Sequence, residues 1–151
     1  MRIACDTNVL VYAAGYGDER RLLQAKATLA SLRHHTMVVP VQVLGEMIRV
    51  LTGKAKWGFD AVSAEIGLVE AFSEVAATAQ PALRSAIEMI GKHKIAVWDA
   101  MILAVASEAG CSLLLSEDYN EGFAWRGVTV VNPFATTPHA LLARAMRGER
   151  A

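Results

Sequence analysis

Long apolar runs, cysteines and net charge are all scarce or absent in this chain of 151 residues. No uninterrupted apolar stretch reaches the roughly 18 residues that a membrane-spanning helix needs, so a membrane role has no support. Only two cysteines occur, Cys5 and Cys111, and their apolar surroundings predict buried thiols rather than a disulfide. An acid, Asp6, interrupts the N-terminus before the apolar core of a signal peptide could form, which predicts a cytoplasmic protein.

The chain also lacks an excess of charge of either sign, because 15 Lys and Arg residues balance 15 Asp and Glu residues. No protein-wide field attracts a polyanion, so any nucleic-acid surface must be a local patch. The chain through Lys56 does carry eight basic residues against four acids. Within it, Lys54 and Lys56 lie beside Trp57, which fits either a phosphate-binding and stacking patch or an ordinary solvated loop.

What the chain does have is a hydrophobic content of 54%, distributed in short runs that alternate with helical patterns. The short runs predict buried strands at 3–5, 37–39, 112–115 and 128–131, with a fifth near 74–78. The helical patterns cover residues 19–33, 41–51, 60–72, 81–92 and 97–109. Strands separated by helices predict an α/β protein, a three-layer α/β/α sandwich with a mostly parallel sheet of about five short strands.

The length suits one globular domain, to which we assign residues 1–134. Residues 135–151 form a separable C-terminal tail. Its Thr137-Pro138 pair is expected to open a helix that carries Arg144, Arg147 and Arg150. Such a tail could pack on the domain or on a partner.

Asp99 is the only charge in the most apolar stretch of the chain, residues 95–106. On a helix it shares a face with Ile102, Leu103 and Ala106, so the carboxylate lies where an apolar side chain is expected. A buried acid needs compensation. Either Asp99 sits in the first turn of a helix that begins near Val97, where free N–H groups favour it, or it points into a cleft with other acids around a cation.

Two more acids follow predicted strands. Asp6 comes directly after the first strand, and Asp118 follows the strand that ends at Leu115. Ligands of open parallel sheets bind at the carboxyl ends of strands, so both acids are placed where chemistry usually occurs. Each also has an ordinary interpretation, Asp6 as a helix N-cap and Asp118 as part of a solvated turn in which Glu117 and Asn120 could share its role.

Glu46 is the fourth candidate, at the edge of the apolar stripe of the helix that follows the second strand. A surface ion pair with Arg49, three residues on, is the simpler explanation. Taken together, however, four acids from two strand ends and two helices favour convergence. Clustered carboxylates repel one another unless a cation neutralises them, and an oxygen-only ligand set suits Mg²⁺ or Mn²⁺.

These segments together resemble the PIN domain, and within it the VapC toxins of type II bacterial toxin–antitoxin pairs. The resemblance covers 1–134 and is carried by the segment 6–13, by Glu46, by the segment 98–102 and by the segment 115–118. The order and spacing of these pieces are more specific than any one of them. One departure is Asn120, which stands where many family members have a second acid.

The resemblance implies a metal-dependent endoribonuclease that hydrolyses RNA phosphodiester bonds as the toxin of a pair. Carried over by position, Asp6, Asp99 and Asp118 would be metal ligands for Mg²⁺ (or Mn²⁺). Glu46 would complete the catalytic set, and the supporting residues would be Thr7, Asn8, Ser116 and Glu117. It also implies inhibition by a cognate antitoxin protein, and a homodimer.

On this hypothesis water attacks the phosphodiester, and the products end in 5′-phosphate and 3′-hydroxyl. A catalytically silent PIN-like interaction module is an alternative. A Mg-dependent phosphoacceptor signalling domain also clusters acids at strand ends, but Asn132 and Pro133 stand where its lysine would follow the last strand. A haloacid-dehalogenase-type phosphatase would need a second acid at position 8, which is Asn8.

Overall fold

The computed structural model describes residues 1–149 as a single open sheet between helices. Arg150, which we assigned to the tail helix, lies outside the described residues. The strands and helices in chain order are β1 Arg2–Cys5, α1 Thr7–Ala14, α2 Glu19–Ser31, β2 Thr36–Pro40, α3 Val41–Gly53, α4 Phe59–Phe72, β3 Glu74–Ala76, α5 Gln80–His93, α6 Val97–Glu108, β4 Leu113–Leu115, β5 Ala124–Trp125, β6 Val128–Val131 and α7 Ala140–Met146.

The sheet has the order β3-β2-β1-β4-β6-β5, and only the β5–β6 pair is antiparallel. Ile3, Ala4 and Cys5 of β1 are all fully buried. Because successive strand residues point to opposite faces, helices must cover both faces of the sheet. The predicted three-layer α/β/α sandwich is therefore confirmed, with one more strand than expected.

The strand that we did not predict is β5, which pairs with β6 through Trp125 and Val128. Arg126 and Gly127 form the connection and both have positive φ, 43° and 91°. A two-residue hairpin with a type I′ turn needs positive φ at both central residues, and the usual sequence signal is Asn-Gly or Asp-Gly. Arg126 is an uncommon residue in this turn, which is why the sequence pattern did not indicate a hairpin.

The order of the strands creates a crevice at one edge of the sheet. From β1 the chain runs outward to β2 and β3, and it then returns to place β4 on the other side of β1. The register aligns Cys5 at the end of β1 with Leu115 at the end of β4. Residues directly after these two strands are consequently neighbours at the switch point of the sheet.

The C-terminal helix α7 packs on the domain. Leu142 and Ala145 are buried in the core, and the Ala145 carbonyl lies 3.0 Å from Nε2 of His35. Burial of the His35 ring lowers its pKa, which favours the neutral form in this contact. Within residues 1–149, no helix is both long enough and apolar enough to cross a bilayer.

The two thiols, Cys5 and Cys111, are free and buried. This confirms the interpretation of both as packing residues. Burial raises the pKa of Cys111 to about 11, so its thiol stays protonated.

Candidate functional site

Asp6 lies at the carboxyl end of β1 and is 3% exposed. Its Oδ1 accepts a hydrogen bond from the Thr7 backbone N–H at 2.7 Å, and its Oδ2 accepts one from the Ser116 hydroxyl at 2.5 Å. Burial raises the pKa of Asp6 to about 7, because the two hydrogen bonds offset desolvation only in part and the charges of Asp118 and Asp99 add to it. Asp6 is thus both the N-cap of α1 and a member of an acidic group.

Asp118 approaches from the loop after β4. Its Oδ2 accepts a hydrogen bond from Nδ2 of Asn8 at 2.8 Å, and its backbone N–H donates to Oγ of Ser116 at 3.1 Å. Ser116 therefore links both strand-end acids through one hydroxyl. The remaining amide oxygen of Asn8 is buried and has no hydrogen-bond partner within residues 1–149.

Glu46 reaches the same place from α3. Its Oε2 accepts a hydrogen bond from the Thr7 hydroxyl at 2.7 Å, while its Oε1 lies 4.0 Å from Nη2 of Arg49. The ion pair that offered a simple explanation is present, but it is long and the Arg49 side chain is 70% exposed. The shorter contact directs Glu46 toward Asp6 and the sheet.

Asp99 lies in the first turn of α6, which begins at Val97. Burial, together with the negative charges of Asp118 and Glu46, raises the pKa of Asp99 to about 6. Tyr119 holds this turn in place, since its hydroxyl donates to the Asp99 carbonyl oxygen at 2.7 Å. The two interpretations of Asp99 are therefore compatible, because the acid occupies a helix N-terminus that faces other acids.

One pocket of about 300 Å³ brings these groups together. Its lining includes all four acids, Asp6, Glu46, Asp99 and Asp118. The four carboxylates outnumber the two cations of the lining, Arg49 and Lys54, and the one ion pair between the two groups, Arg49 with Glu46, is long at 4.0 Å. Thr7 and Asn8 also line this pocket, which we call the acidic pocket.

Glu117 does not line the acidic pocket. Its Oε1 accepts a hydrogen bond from the Tyr12 hydroxyl at 2.6 Å, and its Oε2 pairs with Arg21 of α2 at 3.2 Å. Arg21 also stacks over the Tyr12 ring, 5.4 Å from its centroid. Burial and the hydrogen bond to Glu117 raise the pKa of Tyr12 to about 12. Glu117, which we grouped with the supporting residues, thus contacts α1 and α2 and reaches the acidic pocket only through Tyr12, which lines it.

The proposed basic patch is divided by the structure. Lys54 lines the acidic pocket, together with Arg49. Lys56 is exposed, and Trp57 packs partly buried against the core, so neither belongs to the pocket lining. Sequence reasoning missed Arg49 as a pocket residue because its nearest acid, Glu46, suggested a simple ion pair.

A divalent cation fits the chemistry of the acidic pocket. Its potential ligands are all oxygens, and the raised pKa values of Asp6 and Asp99 show that negative charge is under-compensated there. Within the described residues, no three His, Cys, Asp or Glu side chains are already close enough to share one ion. The four carboxylates line the pocket but do not converge on one point.

The chain matches the family model of the PIN domain over residues 3–124. None of the curated proteins matches it in sequence. The similar solved structures include VapC20 of Mycobacterium tuberculosis, a toxin that cleaves the sarcin-ricin loop, with 22% identity and a TM-score of 0.63 over 77% of this chain and 91% of that one.

Two toxin–antitoxin structures are similar over most of their length. VapBC2 of Rickettsia felis, bound to a DNA fragment from its promoter, has 15% identity and a TM-score of 0.63, covering 87% of this chain and 98% of that one. A toxin–antitoxin complex of Klebsiella pneumoniae has 19% identity and a TM-score of 0.62, covering 87% and 97%. At these identities the likeness establishes a shared fold.

Proposed function

The chain belongs to the PIN-domain family, and from that premise we propose that it is a metal-dependent endoribonuclease acting as the toxin of a toxin–antitoxin pair. The single observation that carries the proposal is the acidic pocket, which Asp6, Glu46, Asp99 and Asp118 line together at the switch point of the sheet. Ligands of open α/β sheets bind at this position. The substrate class, RNA, is supported by the VapC20 structure, whose protein cleaves an RNA loop.

We propose Asp6, Asp99 and Asp118 as the residues that hold Mg²⁺ or Mn²⁺. A bound divalent cation supplies positive charge for the pentacoordinate phosphate and lowers the pKa of an attacking water. The chain's own part is to direct the carboxylates. Its hydrogen-bond donors do this for Asp6, Asp118 and Glu46, through Ser116, Asn8 and Thr7 respectively. Because burial raises the pKa of Asp6, a bound cation would favour its ionised form.

Glu46 has a different proposed role. It is the acid that the Thr7 hydroxyl holds at the α3 side of the pocket, and Arg49 lies 4.0 Å from its other oxygen. From this side its carboxylate can accept a proton from water as the bond to phosphorus forms. We therefore assign it to orienting the attacking water.

Two further parts of the proposal concern partners. The Rickettsia felis and Klebsiella pneumoniae structures contain toxin–antitoxin complexes, which supports an antitoxin protein as the inhibitor of this chain. A homodimer and a cytoplasmic location complete the proposal, since cellular RNA is its substrate. Light scattering of the purified protein measures the oligomeric state, and a monomeric mass would contradict the dimer.

The decisive experiment compares RNA cleavage by the wild type, by Asp99→Asn and by a matched control, Glu108→Gln. Glu108 lies on the same helix but is exposed and does not line the acidic pocket. We expect cleavage by the wild type and the control in Mg²⁺ or Mn²⁺, with 5′-phosphate and 3′-hydroxyl ends, and none by Asp99→Asn. Full activity of Asp99→Asn, or products with 2′,3′-cyclic phosphate, would overturn the proposal. If the chain is instead a catalytically silent interaction module, none of the three proteins cleaves RNA, and expression of the wild type does not arrest growth.

A further inference from the structure

Trp98 is a large aromatic side chain left on the surface beside the acidic pocket. It precedes Asp99 in the first turn of α6 and is 60% exposed. By contrast, Trp125 is 8% exposed, and its indole N–H donates to the Ser85 hydroxyl at 2.9 Å. Single exposed apolar side chains are common, so the position of Trp98 matters more than its exposure.

That position is the wall of a second cavity, of about 540 Å³, lined by Trp98, Gln42, Gly45, Glu46 and Arg49. We call it the indole groove. It shares Glu46 and Arg49 with the acidic pocket, so the two cavities are adjacent. A ligand whose reacting group lies among the acids can therefore extend directly over Trp98.

Gly45, which has no side chain, gives the indole groove a flat wall. A glycine inside a helix is less stable than alanine by roughly 1 kcal/mol. Apart from its chain neighbours and the backbone of its own helix, nothing lies within 4 Å of the place that a Cβ would occupy, so packing within the protein does not require a glycine. The backbone of α3 is therefore open to a ligand at this point.

The charges around the indole groove favour a nucleotide as the occupant. Arg49 lines both cavities, and Lys54 lines the acidic pocket. Cations of this kind bind backbone phosphates, while an indole offers a face on which any base can stack. A flat ring between Trp98 and the bare backbone of Gly45, with its phosphates near Arg49, matches this arrangement.

We propose that Trp98 is the stacking platform for an unpaired base next to the phosphate that is cleaved, so the substrate is single-stranded at that point. The inference rests on the proposed function for the position of the reacting phosphate. Both faces of a base inside a duplex are already stacked on its neighbours, so a duplex cannot offer one to Trp98 without unstacking it. The structure thus assigns this residue to recognition of the strand and the acids to the reaction.

The test measures binding of a short single-stranded oligouridylate, of the same oligomer with abasic sites, and of an RNA duplex of equal length. All proteins carry Asp99→Asn so that RNA stays intact. The variants are Trp98→Ala, Trp98→Phe and Gly45→Leu, which fills the flat wall with a good helix former. Phe72→Ala is the matched control, because Phe72 is 48% exposed and lines a separate cavity with His35 and Met37.

We expect Trp98→Ala and Gly45→Leu to weaken binding of the oligouridylate roughly ten-fold, with Trp98→Phe and Phe72→Ala close to the parent protein. The parent should prefer the single strand to the duplex. Trp98→Ala should make no difference to the abasic oligomer, because a stacking contact needs a base. Circular dichroism checks that each variant is folded, and the exposed position of Trp98 predicts that it is.

Unchanged affinity of Trp98→Ala for the oligouridylate would overturn the proposal, as would an equal loss with the abasic oligomer. The proposal is also overturned if Trp98→Ala binds RNA normally but no longer binds the co-expressed antitoxin. The indole groove would then be a site for an apolar side chain of that partner. Failure of the nuclease proposal gives a different result from failure of the stacking proposal. In that case the wild type does not cleave RNA, but Trp98→Ala still weakens binding of the oligouridylate.

Discussion

Replacing Asp99 by asparagine should make the metal-free protein more stable above about pH 6, although the same change should abolish cleavage. The folded protein disfavours the Asp99 carboxylate, because burial and the charges of Asp118 and Glu46 raise its pKa from 3.8 to about 6. The free energy of unfolding therefore falls as the pH rises from about 4 to about 6, because over this range the folded protein keeps a proton that the unfolded chain releases. Asparagine has nearly the same shape and no charge to repel.

The expected gain is small but measurable. The rise in the pKa of Asp99 corresponds to about 3 kcal/mol in full, and solvent screening of this half-buried group reduces it to about 1.5 kcal/mol. The carboxylate also interacts favourably with the N-terminus of α6, by about 0.5 kcal/mol, which asparagine loses. The net gain of about 1 kcal/mol raises Tm by about 3 °C for a protein of this size.

Thermal unfolding followed by circular dichroism, with a chelator at about pH 8 and about pH 4, measures this difference. We expect the gain at the higher pH alone, since the carboxyl is protonated at the lower one. Millimolar Mg²⁺ should then reverse the order, because an ion that binds only the folded wild type stabilises it by mass action. Glu108→Gln should respond to Mg²⁺ as the wild type does. A lower Tm for Asp99→Asn in chelator, or an equal Mg²⁺ effect on both proteins, would refute the reasoning.

Three further predictions concern residues around the acidic pocket. Arg21→Ala should lower Tm, because Glu117 loses the cation that it pairs with. Adding Glu117→Gln to that variant should restore most of the loss in Tm, and no recovery would contradict the pairing. Ser116→Ala should lower the free energy of unfolding by about 1–2 kcal/mol and raise the pKa of Asp6 further, seen as the midpoint of its carboxyl NMR titration; an unmoved midpoint would be the contrary result. Arg49→Ala should weaken RNA binding alike for all sequences and reduce the dependence of log K on log salt by about 1, whereas an unchanged slope would place the RNA elsewhere.

The elements that sequence patterns predicted well are those with a strong local signal. The run 3–5 is apolar throughout because β1 is buried on both faces, and α6 has a clear limit at Gly110, whose φ is 70°. The short strand β5 lacked such a signal. Its two residues are held by pairing with β6 and by the contact of Trp125 with Ser85, which lies 40 positions away.

The acids were predictable as a set because their types and positions limited the choice. Asp6 and Asp118 follow adjacent parallel strands, and Asp99 is the single charge of an apolar segment. The direction of Glu117 was not predictable, because it depends on Arg21, which is 96 positions away in sequence. Adjacent residues of a turn can point to opposite sides, and only tertiary contacts decide which one faces the pocket.

The acidic pocket draws its four carboxylates from positions 6, 46, 99 and 118, which are far apart in the sequence. The loop that carries Asp118 is itself fixed by a strand made later, since the Ser116 N–H donates to the Val131 carbonyl at 3.1 Å. A ribosome delivers these parts one after another, and domains fold as units. A growing chain can therefore complete the acidic pocket only after β6 has been made, so a nascent chain shorter than that would be unable to cleave RNA.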